Sequence, residues 1–597
     1  MEQLERILKL ILNLSIAGVM MFFISCNTVI SKKPGRKPNV ILILTDDQGW
    51  GDLSLNGNPD IRTPNIDSMA ISGAVFDRFY VCPVCSPTRA ELLTGRYHVR
   101  GGVYSTSAGG ERLDLDEITL ADIFKQNGYK TAAFGKWHNG MQYPYHPNGR
   151  GFDDFYGFCS GHWGNYFSPM LEHNGKLVKG DGFLPDDLTT KALEFIEANK
   201  ENAFFLYLPL NTPHSPMQVP DNWWNKFKDK EFTSKNTNRH NEWLEHSKAA
   251  YALCENIDWN IGRLLYKVRE TGLEENTIIV FLSDNGPNGW RWNGGMKGIK
   301  GSTDEGGVRS PFVIKWNGMI EPGKKVEQIA GAVDLLPTLA ELTGIQLNSG
   351  KPLDGKSLTP LLFGKNIDWE DRYIVNHWNE KTSIRSQQFR LDHENKLFNM
   401  INDPGQTEDV AGEYPEVLKK MVQFKNHWEE EVLSELPEID KRTFPVGHPD
   451  FKYTQLPARD GKPYGNIQRS NKFPNCSFFT NWKSVDDSIV WYIEVLEEGD
   501  YEAIVYYTCG QESIGSTIEL SIGANSIEKK IIKAHNPPLM GAEMDRVERM
   551  ESYVKDFIPV NMGIVRLKKG TETLTLKAKD IKGAQVMDFR LIMLNRI

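Results

Sequence analysis

A thiol and a guanidinium stand four residues apart in the stretch Cys85-Ser86-Pro87-Thr88-Arg89. The surrounding pattern is typical of a turn that leads from a strand into a helix. A nucleophile placed this close to a fixed cation indicates covalent chemistry on an anionic substrate.

Carboxylates follow two apolar runs that are far apart in the chain. Residues 40–44 (VILIL) lead into Asp46 and Asp47, and residues 277–282 (TIIVFL) lead into Asp284 and Asn285. Both runs are typical of buried parallel strands, and ligands of an open α/β sheet bind where the carboxyl ends of such strands converge. We therefore expect these four oxygen-bearing side chains to meet around one hard cation, and such a ligand set suits Ca²⁺ and is possible for Mg²⁺. Helix caps are the alternative role for acidic residues after strands.

The cysteine stretch, continued by residues 90–96 (AELLTGR), resembles the signature of the formylglycine-dependent type I sulfatases of the alkaline-phosphatase-like superfamily. Four further blocks resemble family blocks in the family's order: residues 135–138 (GKWH), 211–216 (NTPHSP), 283–286 (SDNG), and 300–302 (KGS) followed by 305–309 (EGGVR). They span most of residues 38–430. Five ordered blocks make a specific match, whereas a lone cysteine-proline-arginine pattern would be weak.

The resemblance implies that a formylglycine-generating maturation enzyme oxidises Cys85 to an aldehyde and recognises Pro87 and Arg89. The aldehyde hydrates to a geminal diol, and one hydroxyl attacks sulfur and expels the alcohol. Loss of a proton from the second hydroxyl then releases sulfate and restores the aldehyde. A thiol would instead keep the sulfuryl group in a stable adduct. The modified Cys85 would itself be a metal ligand.

Cations at family positions would surround the sulfate. The resemblance assigns Arg89, Lys136 and Lys300 to stabilising charge, and it assigns His138 to collapse of the sulfated intermediate. His214 would act with Lys300 on the leaving oxygen. In an extended Lys136-Trp137-His138 the first and third side chains would face the site.

Four residues in two other segments are candidates for contact with a sugar. His162 and Trp163 lie in one aromatic cluster, and Trp290 and Arg291 lie in another. Aromatic faces suit sugar rings, although core packing explains a tryptophan more often.

The pattern of elements predicts an α/β protein with added β domains. Strands alternate with helices over residues 38–372, which favours a central, mostly parallel sheet covered on both faces. Shorter segments over residues 373–433 predict a small antiparallel subdomain. Residues 434–475 are expected to be a linker, and residues 476–597 an all-β sandwich that either binds carbohydrate or supports the enzyme structurally.

The chain has 597 residues, with 40% hydrophobic and 25% charged residues and a net charge of −9, which gives no support for a nucleic-acid partner. Residues 1–26 are typical of a signal segment, with an apolar stretch over 10–24 that ends in Ser25-Cys26. We expect an exported lipoprotein anchored to the membrane through Cys26, in the periplasm or at the cell surface; an ordinary cleaved signal is the alternative. Seven cysteines suggest no disulfide framework. Cys82 and Cys85 could form a redox pair, but the basic residues around them favour the sulfatase interpretation.

These observations predict a hydrolase of sulfuric esters that acts on a sulfated polysaccharide or oligosaccharide. Algal glycans such as ulvan or carrageenan and glycosaminoglycans are the candidate substrates. A phosphate or phosphonate monoester hydrolase of the same fold is the alternative enzyme. A glycan-binding lipoprotein with unconverted Cys85 is the non-enzymatic alternative.

Overall fold

The computed structural model describes residues 36–236, 241–348, 350–364 and 369–597. Its main domain holds thirteen strands among these residues: β1 Asn39–Asp46, β2 Ala74–Phe76, β3 Phe79–Tyr80, β4 Lys130–Lys136, β5 Asp154–Phe158, β6 Met170–His173, β7 Lys176–Lys179, β8 Phe204–Pro213, β9 Thr277–Ser283, β10 Arg309–Ser310, β11 Phe312–Lys315, β12 Lys324–Val326 and β13 Ala330–Gly331. Ten of them form one sheet in the order β12-β2-β11-β9-β1-β8-β4-β5-β6-β7, and β10-β3-β13 form a small second sheet. The five central strands, β9 to β5 in that order, run parallel.

The central strand β1 explains why the sheet is covered on both faces. All eight of its residues are buried. Val40, Leu42 and Leu44 belong to one hydrophobic core, whereas Ile41 and Ile43 belong to another. Successive side chains of a strand point to opposite faces, so a continuous apolar run requires packing on both sides. The expected doubly covered α/β sheet is confirmed.

Helices pack on each face of this sheet. One core includes residues of the helices Cys85–Thr94, Leu120–Gln126 and Leu335–Leu342. The other includes residues of Pro64–Ile71, Leu184–Ala198 and Leu244–Glu270. Short helices also occur at Asp221–Trp224, Glu305–Val308 and Thr359–Phe363. Two layers of helices around one sheet place the strand ends at an open edge.

The small subdomain is an antiparallel meander with one long helix. Its strands are β14 Ile374–Trp378, β15 Lys381–Arg385, β16 Phe389–Leu391 and β17 Leu397–Asn399. The helix Pro415–Val432 packs Met421 and Trp428 against them. The core of this subdomain also contains Tyr97 and Val99 of the main domain, which ties the two together.

Two six-stranded sheets form the C-terminal sandwich. Its strands are β18 Phe444–Val446, β19 Tyr453–Pro457, β20 Lys462–Tyr464, β21 Gln468–Arg469, β22 Phe479–Thr480, β23 Ser488–Val495, β24 Gly499–Thr508, β25 Thr517–Ile522, β26 Asn525–Lys530, β27 Ile558–Leu567, β28 Gly570–Asp580 and β29 Asp588–Arg596. The first four lie within residues 434–475, where we expected a linker. They pair with strands of the sandwich, β18 and β20 with β23, β19 with β29 and β21 with β22. Strands of two to five residues carry too little alternation to be recognised in a sequence.

The described cysteines, 82, 85, 159, 254, 476 and 509, are all buried and unpaired. Burial raises the pKa of Cys82 well above its ordinary value, which is the opposite of what a redox thiol needs. Cys26 and the signal segment over residues 1–26 lie outside the described residues. Within the described ranges, the helices are too short or too polar to cross a bilayer.

Candidate active site

Polar side chains lie at the carboxyl ends of four neighbouring strands of the central sheet. Asp46 is the last residue of β1 and Lys136 the last of β4, while His214 and Asp284 directly follow β8 and β9. Since these strands are parallel neighbours in the order β9-β1-β8-β4, their carboxyl ends meet. The convergence expected from the sequence is therefore present.

Cys85 faces this edge from the first turn of a helix. It is the first residue of the helix Cys85–Thr94, in which every residue is buried. Its sulfur, one carboxylate oxygen of Asp46 and one of Asp284 lie within 4.8 Å of one another. The side chain that would carry the nucleophile thus stands against the acidic group.

The acidic residues interlock around Asp47. Its backbone N–H donates to Asp284 Oδ1 at 3.2 Å, and its carboxylate accepts from Asn285 Nδ2 at 2.8 Å. Asp47 adopts the left-handed region, with φ of 67°. Few residues other than glycine take that conformation, so the surrounding contacts must hold it.

Two oxygens of this group are buried without a hydrogen bond, although Arg89 lies 4.0 Å from one of them. Asp46 Oδ1 and Asn285 Oδ1 are buried and accept no hydrogen bond from the described part of the chain. A buried oxygen in that state is costly unless a cation or a donor meets it. Three carboxylates and an amide oxygen are the hard ligands that Ca²⁺ prefers. The residues present therefore fit the expected cation.

The two aspartates of β1 differ in their electrostatics. Burial raises the pKa of Asp46 well above its ordinary value, although Lys136 lowers it. Burial also acts to raise the pKa of Asp47, but the charges of His214 and Lys300 hold it below its ordinary value. A divalent cation would stabilise the ionised form of both.

Arginine and lysine side chains pair with these carboxylates. Arg89 donates to Asp284 Oδ2 at 2.7 Å and to the Lys136 carbonyl at 2.7 Å. Lys136 Nζ lies 2.7 Å from Asp46 Oδ2, and Lys300 Nζ lies 2.6 Å from Asp47 Oδ1. The three cations are thus held in fixed positions beside Cys85 and the candidate metal ligands.

Two buried histidines complete the site. Burial lowers the pKa of His138 well below its ordinary value, and Lys136 adds to the effect. His138 has φ of 68°, so the strand ends at Lys136 and the expected extended tripeptide is wrong at its last residue. A turn, rather than strand alternation, brings its ring to the site. Burial also lowers the pKa of His214, whose Nε2 lies 3.6 Å from Asp47 Oδ2.

The four candidate sugar contacts separate in the structure. His162 stacks on His214 with ring centroids 5.8 Å apart, so it borders the site. Trp163 instead packs against Phe158, at 5.0 Å, on the side of the C-terminal sandwich. Arg291 is buried, and its guanidinium donates hydrogen bonds to Asp52 Oδ1 at 2.7 Å and to the Asp47 carbonyl at 3.2 Å.

Arg291 therefore stabilises the turn at Asp47 through its backbone carbonyl. It does not lie with the cations that surround Cys85. Half-buried Trp290 accepts a hydrogen bond from the Trp243 N–H, at 2.9 Å, through its backbone carbonyl.

Sequence reasoning missed the contribution of the sandwich. Asn475 Oδ1 accepts from the Gly161 N–H at 3.2 Å, close to the Thr106 carbonyl that binds His138 Nε2 at 2.8 Å. Glu551 lies beside Ser215, the residue after His214. No spacing or motif links these residues to residues 38–430, so no pattern could have revealed them.

Comparison with known proteins agrees with this geometry. The family profile described as Sulfatase matches residues 38–345, and that described as N-sulphoglucosamine sulphohydrolase, C-terminal, matches residues 300–431. N-acetylgalactosamine-6-sulfatase of Mus musculus is 32% identical over 370 residues, which cover 56% of this chain and 68% of that protein. The uncharacterized sulfatase YdeN of Escherichia coli is 31% identical over 412 residues, covering 58% and 71%.

Solved structures give the same result. The crystal structure of Ps i-CgsB has a TM-score of 0.61 and 32% identity, covering 67% of this chain and 95% of that one. Its complex with k-i-k-neocarrahexaose has a TM-score of 0.60 and 33% identity, covering 68% and 95%. The phosphonate monoester hydrolase of Agrobacterium radiobacter, at 20% identity and a TM-score of 0.53, shares the fold, with 66% of this chain and 96% of that one covered. Because the Sulfatase profile runs from β1 through the last strand of the main domain, the protein is an enzyme of the type I sulfatase family, in the alkaline-phosphatase-like superfamily.

Proposed function

We propose that this enzyme hydrolyses sulfate esters of a sulfated polysaccharide or oligosaccharide. The observation that carries the proposal is the position of Cys85, whose sulfur shares a 4.8 Å cluster with Asp46 and Asp284. Arg89 contacts both of those carboxylates, at 4.0 and 2.7 Å. A nucleophile, a cation site and fixed positive charge at one point are what transfer of a sulfuryl group requires.

Cys85 would act after conversion to formylglycine by a maturation enzyme. The modified side chain supplies a hydroxyl nucleophile and a second hydroxyl that permits release of sulfate. Arg89 lies one helical turn further on, and its hydrogen bonds to Asp284 fix the position of its positively charged guanidinium. In this proposal Arg89 orients the nucleophile and stabilises negative charge on the sulfuryl oxygens.

Asp46, Asp47, Asp284 and Asn285 would hold Ca²⁺, with the modified Cys85 as a further ligand. When bound, the ion lowers the pKa of the attacking hydroxyl and offsets charge on sulfate. One oxygen each of Asp46 and Asn285 is buried without a hydrogen bond from the described chain, which supports this assignment. Oxygen ligands in this number favour Ca²⁺ over Mg²⁺.

His214 and Lys300 would serve the leaving alcohol. Both lie against Asp47, at 3.6 and 2.6 Å. A proton from this pair allows the alcohol to leave uncharged. His138, whose Nε2 is hydrogen-bonded to the Thr106 carbonyl, would accept the proton that is lost when sulfate is released.

A sugar ester is favoured by the named relatives. The curated relative acts on an N-acetylgalactosamine 6-sulfate, and the similar solved structure was crystallised with a neocarrahexaose. The sugar itself, whether algal or a glycosaminoglycan, is a matter for substrate screening with free sulfate as the readout.

Parallel assay of 4-nitrophenyl sulfate and 4-nitrophenyl phosphate tests the reaction class. Sulfate release that exceeds phosphate release by at least about a hundredfold supports the proposal. Preference for phosphate would refute it. Mass spectrometry of the peptide that contains Cys85 shows whether the aldehyde forms, and a fully unconverted thiol in active enzyme would refute the assigned nucleophile.

We also propose that the protein is exported and anchored through a lipid on Cys26. The apolar stretch over residues 10–24 and the Ser25-Cys26 pair support this location. Labelled palmitate should enter the wild-type protein and be absent from Cys26→Ser. Equal labelling of both would refute the anchor.

A further inference from the structure

A cavity of ≈ 330 Å³ lies next to the catalytic centre, between the main domain and the sandwich. Ser215 and Asn288 line it from the main domain, and Glu551 lines it from the sandwich. Asn288 Nδ2 donates to the Ser215 hydroxyl at 3.0 Å. Ser215 directly follows His214, and the charge of Lys300 acts on Glu551, so this cavity lies close to the two residues assigned to the leaving alcohol.

Glu551 is the unusual residue of this cavity. Its side chain is only 8% exposed, and Oε2 has no hydrogen-bond partner among the described residues. Burial raises the pKa of Glu551, while the charges of Lys300 and Arg549 lower it. A buried carboxyl oxygen without a partner is expensive in the free protein, and a donor from a ligand would remove that cost.

The segment that carries Glu551 is fixed to the main domain. We call residues 541–554 the docking segment. Gln218 Nε2 donates to the Gly541 carbonyl at 2.8 Å, and the Arg546 N–H donates to the Met217 carbonyl at 3.0 Å. Arg549 also donates to the Gly164 carbonyl at 2.5 Å. Two of these bonds involve residues that line the cavity, Met217 and Arg549, so the segment that carries Glu551 is held in place before any ligand arrives.

The lining of the cavity favours a sugar ring without a second sulfate. Trp243 is 45% exposed and lies at its edge. Glu548 and Glu551 contribute carboxylates, while the Arg549 guanidinium is taken by Asp545 in a buried pair at 2.5 Å. An exposed indole suits the apolar face of a sugar, and carboxylates accept from hydroxyl groups but repel sulfate.

We propose that this cavity is the subsite for an unsulfated sugar ring next to the scissile sulfate ester, with the Glu551 carboxylate accepting hydrogen bonds from its hydroxyl groups. The proposal rests on the sulfatase activity on sugars proposed above and names the part of the substrate that the sandwich recognises. The sandwich is then part of the active site. Trp243 lies against the ring, and Ser215 and Asn288 line the opposite domain's side of the cavity.

Kinetics of the full-length converted enzyme test the subsite. The variants are Glu551→Gln, which keeps the shape, and Glu551→Ala. Glu543→Gln is the matched control, because Glu543 is an exposed carboxyl of the same docking segment that does not line the cavity. The probes are 4-nitrophenyl sulfate, N-acetylgalactosamine 6-sulfate and k-i-k-neocarrahexaose. Melting temperatures report on folding.

We expect Glu551→Gln to lower kcat/KM on k-i-k-neocarrahexaose about tenfold more than on 4-nitrophenyl sulfate, mainly through KM. N-acetylgalactosamine 6-sulfate, whose single ring carries the ester, should behave like the aryl sulfate. Glu543→Gln should keep the wild-type ratio. Equal losses on the oligosaccharide and on the aryl sulfate, or none, would overturn the subsite. So would a wild-type enzyme that cleaves the aryl sulfate but not the oligosaccharide. Failure to cleave any of the three would instead overturn the proposed function.

Discussion

Lys300 Nζ lies within hydrogen-bond distance of both carboxylate oxygens of Asp47, at 2.6 and 2.8 Å, across 253 positions of sequence. The next residue, Gly301, donates its N–H to the Pro83 carbonyl at 2.8 Å. The loop that carries Lys300 is therefore tied both to the candidate metal ligands and to the segment that precedes Cys85. Removing this one charge should disturb metal ligation and catalysis together.

Lys300→Ala should lower kcat/KM for 4-nitrophenyl sulfate by at least about a hundredfold, because it deletes a fixed cation near the developing charge. Lys300→Arg should recover part of the loss, since it restores the charge but not the geometry. Lys297→Ala is the control, as Lys297 belongs to the same loop and lies 3.8 Å from Asp304 instead. Equal activity of Lys297→Ala and Lys300→Ala would contradict the assigned role.

Cys85→Ala should abolish turnover, by at least about a thousandfold, while the melting temperature stays near that of the wild type. The side chain is buried at the start of a helix, and alanine fits that position without a new polar group. Cys82→Ala is the matched control, because Cys82 is equally buried but lies outside the 4.8 Å cluster of Cys85, Asp46 and Asp284. Activity near wild type in Cys85→Ala would refute the nucleophile.

Chelation should remove activity and also lower the melting temperature, because four oxygen ligands would be left to repel one another without their cation. Added Ca²⁺ should restore both more fully than Mg²⁺. Asp284→Asn should weaken the response to Ca²⁺ in thermal melting, since it removes a carboxylate from the ligand set. A melting temperature that is the same with chelator and with Ca²⁺ would argue against a metal at this site.

The site could be predicted from the sequence wherever side chains follow long buried strands. The structure brings Asp46, Asp47 and Asp284 together, because the carboxyl ends of parallel strands converge, whatever the rest of the fold does. The resemblance added Lys136, His138, His214 and Lys300, which the structure brings to the same point.

Contacts between distant segments could not be predicted. Arg291 appeared to be available to a substrate, yet Asp52 binds it from 239 positions away. The strands in residues 434–475 are short and pair with distant partners, so periodicity did not reveal them. Glu551 lies in a region that appeared to be a separate module, and only the docking segment brings it to Ser215.

Glu91→Gln should make the protein more stable at neutral pH. Burial raises the pKa of Glu91 to about 8, from an ordinary value of 4.5. As pH rises from 4.5 to 8, the unfolded chain loses this proton while the folded protein keeps it, so folding stability falls over that window. Glutamine removes this dependence and can still accept from the His98 N–H, which lies 3.3 Å from Oε1.

The two proteins should therefore have similar melting temperatures at pH 4.5, and the variant should gain on the order of 1–3 kcal/mol by pH 7.5. Glu416→Gln, an exposed carboxyl at the start of the last long helix, is the control and should show no such trend. A gain for Glu91→Gln that does not grow with pH would contradict the raised pKa.

Arg459→Ala should destabilise the attachment of the sandwich to the main domain. Arg459 lies 2.8 Å from Glu111, and both side chains are only 1% exposed. Removing one partner leaves a buried charge without compensation, which costs about 3–5 kcal/mol. Urea unfolding of the full chain measures this loss.

Arg566→Ala supplies a matched comparison, because Arg566 pairs with Glu498 at 2.9 Å while both side chains are more than half exposed. Solvent screens such a pair, so its removal should hardly change unfolding. The negative charge of Glu111 also raises the pKa of His138, and Arg459 offsets that charge. Arg459→Ala should therefore reduce turnover as well as stability. If the two arginine variants unfold alike, the sandwich is held by its other contacts, and the buried pair has no special part in joining it to the catalytic domain.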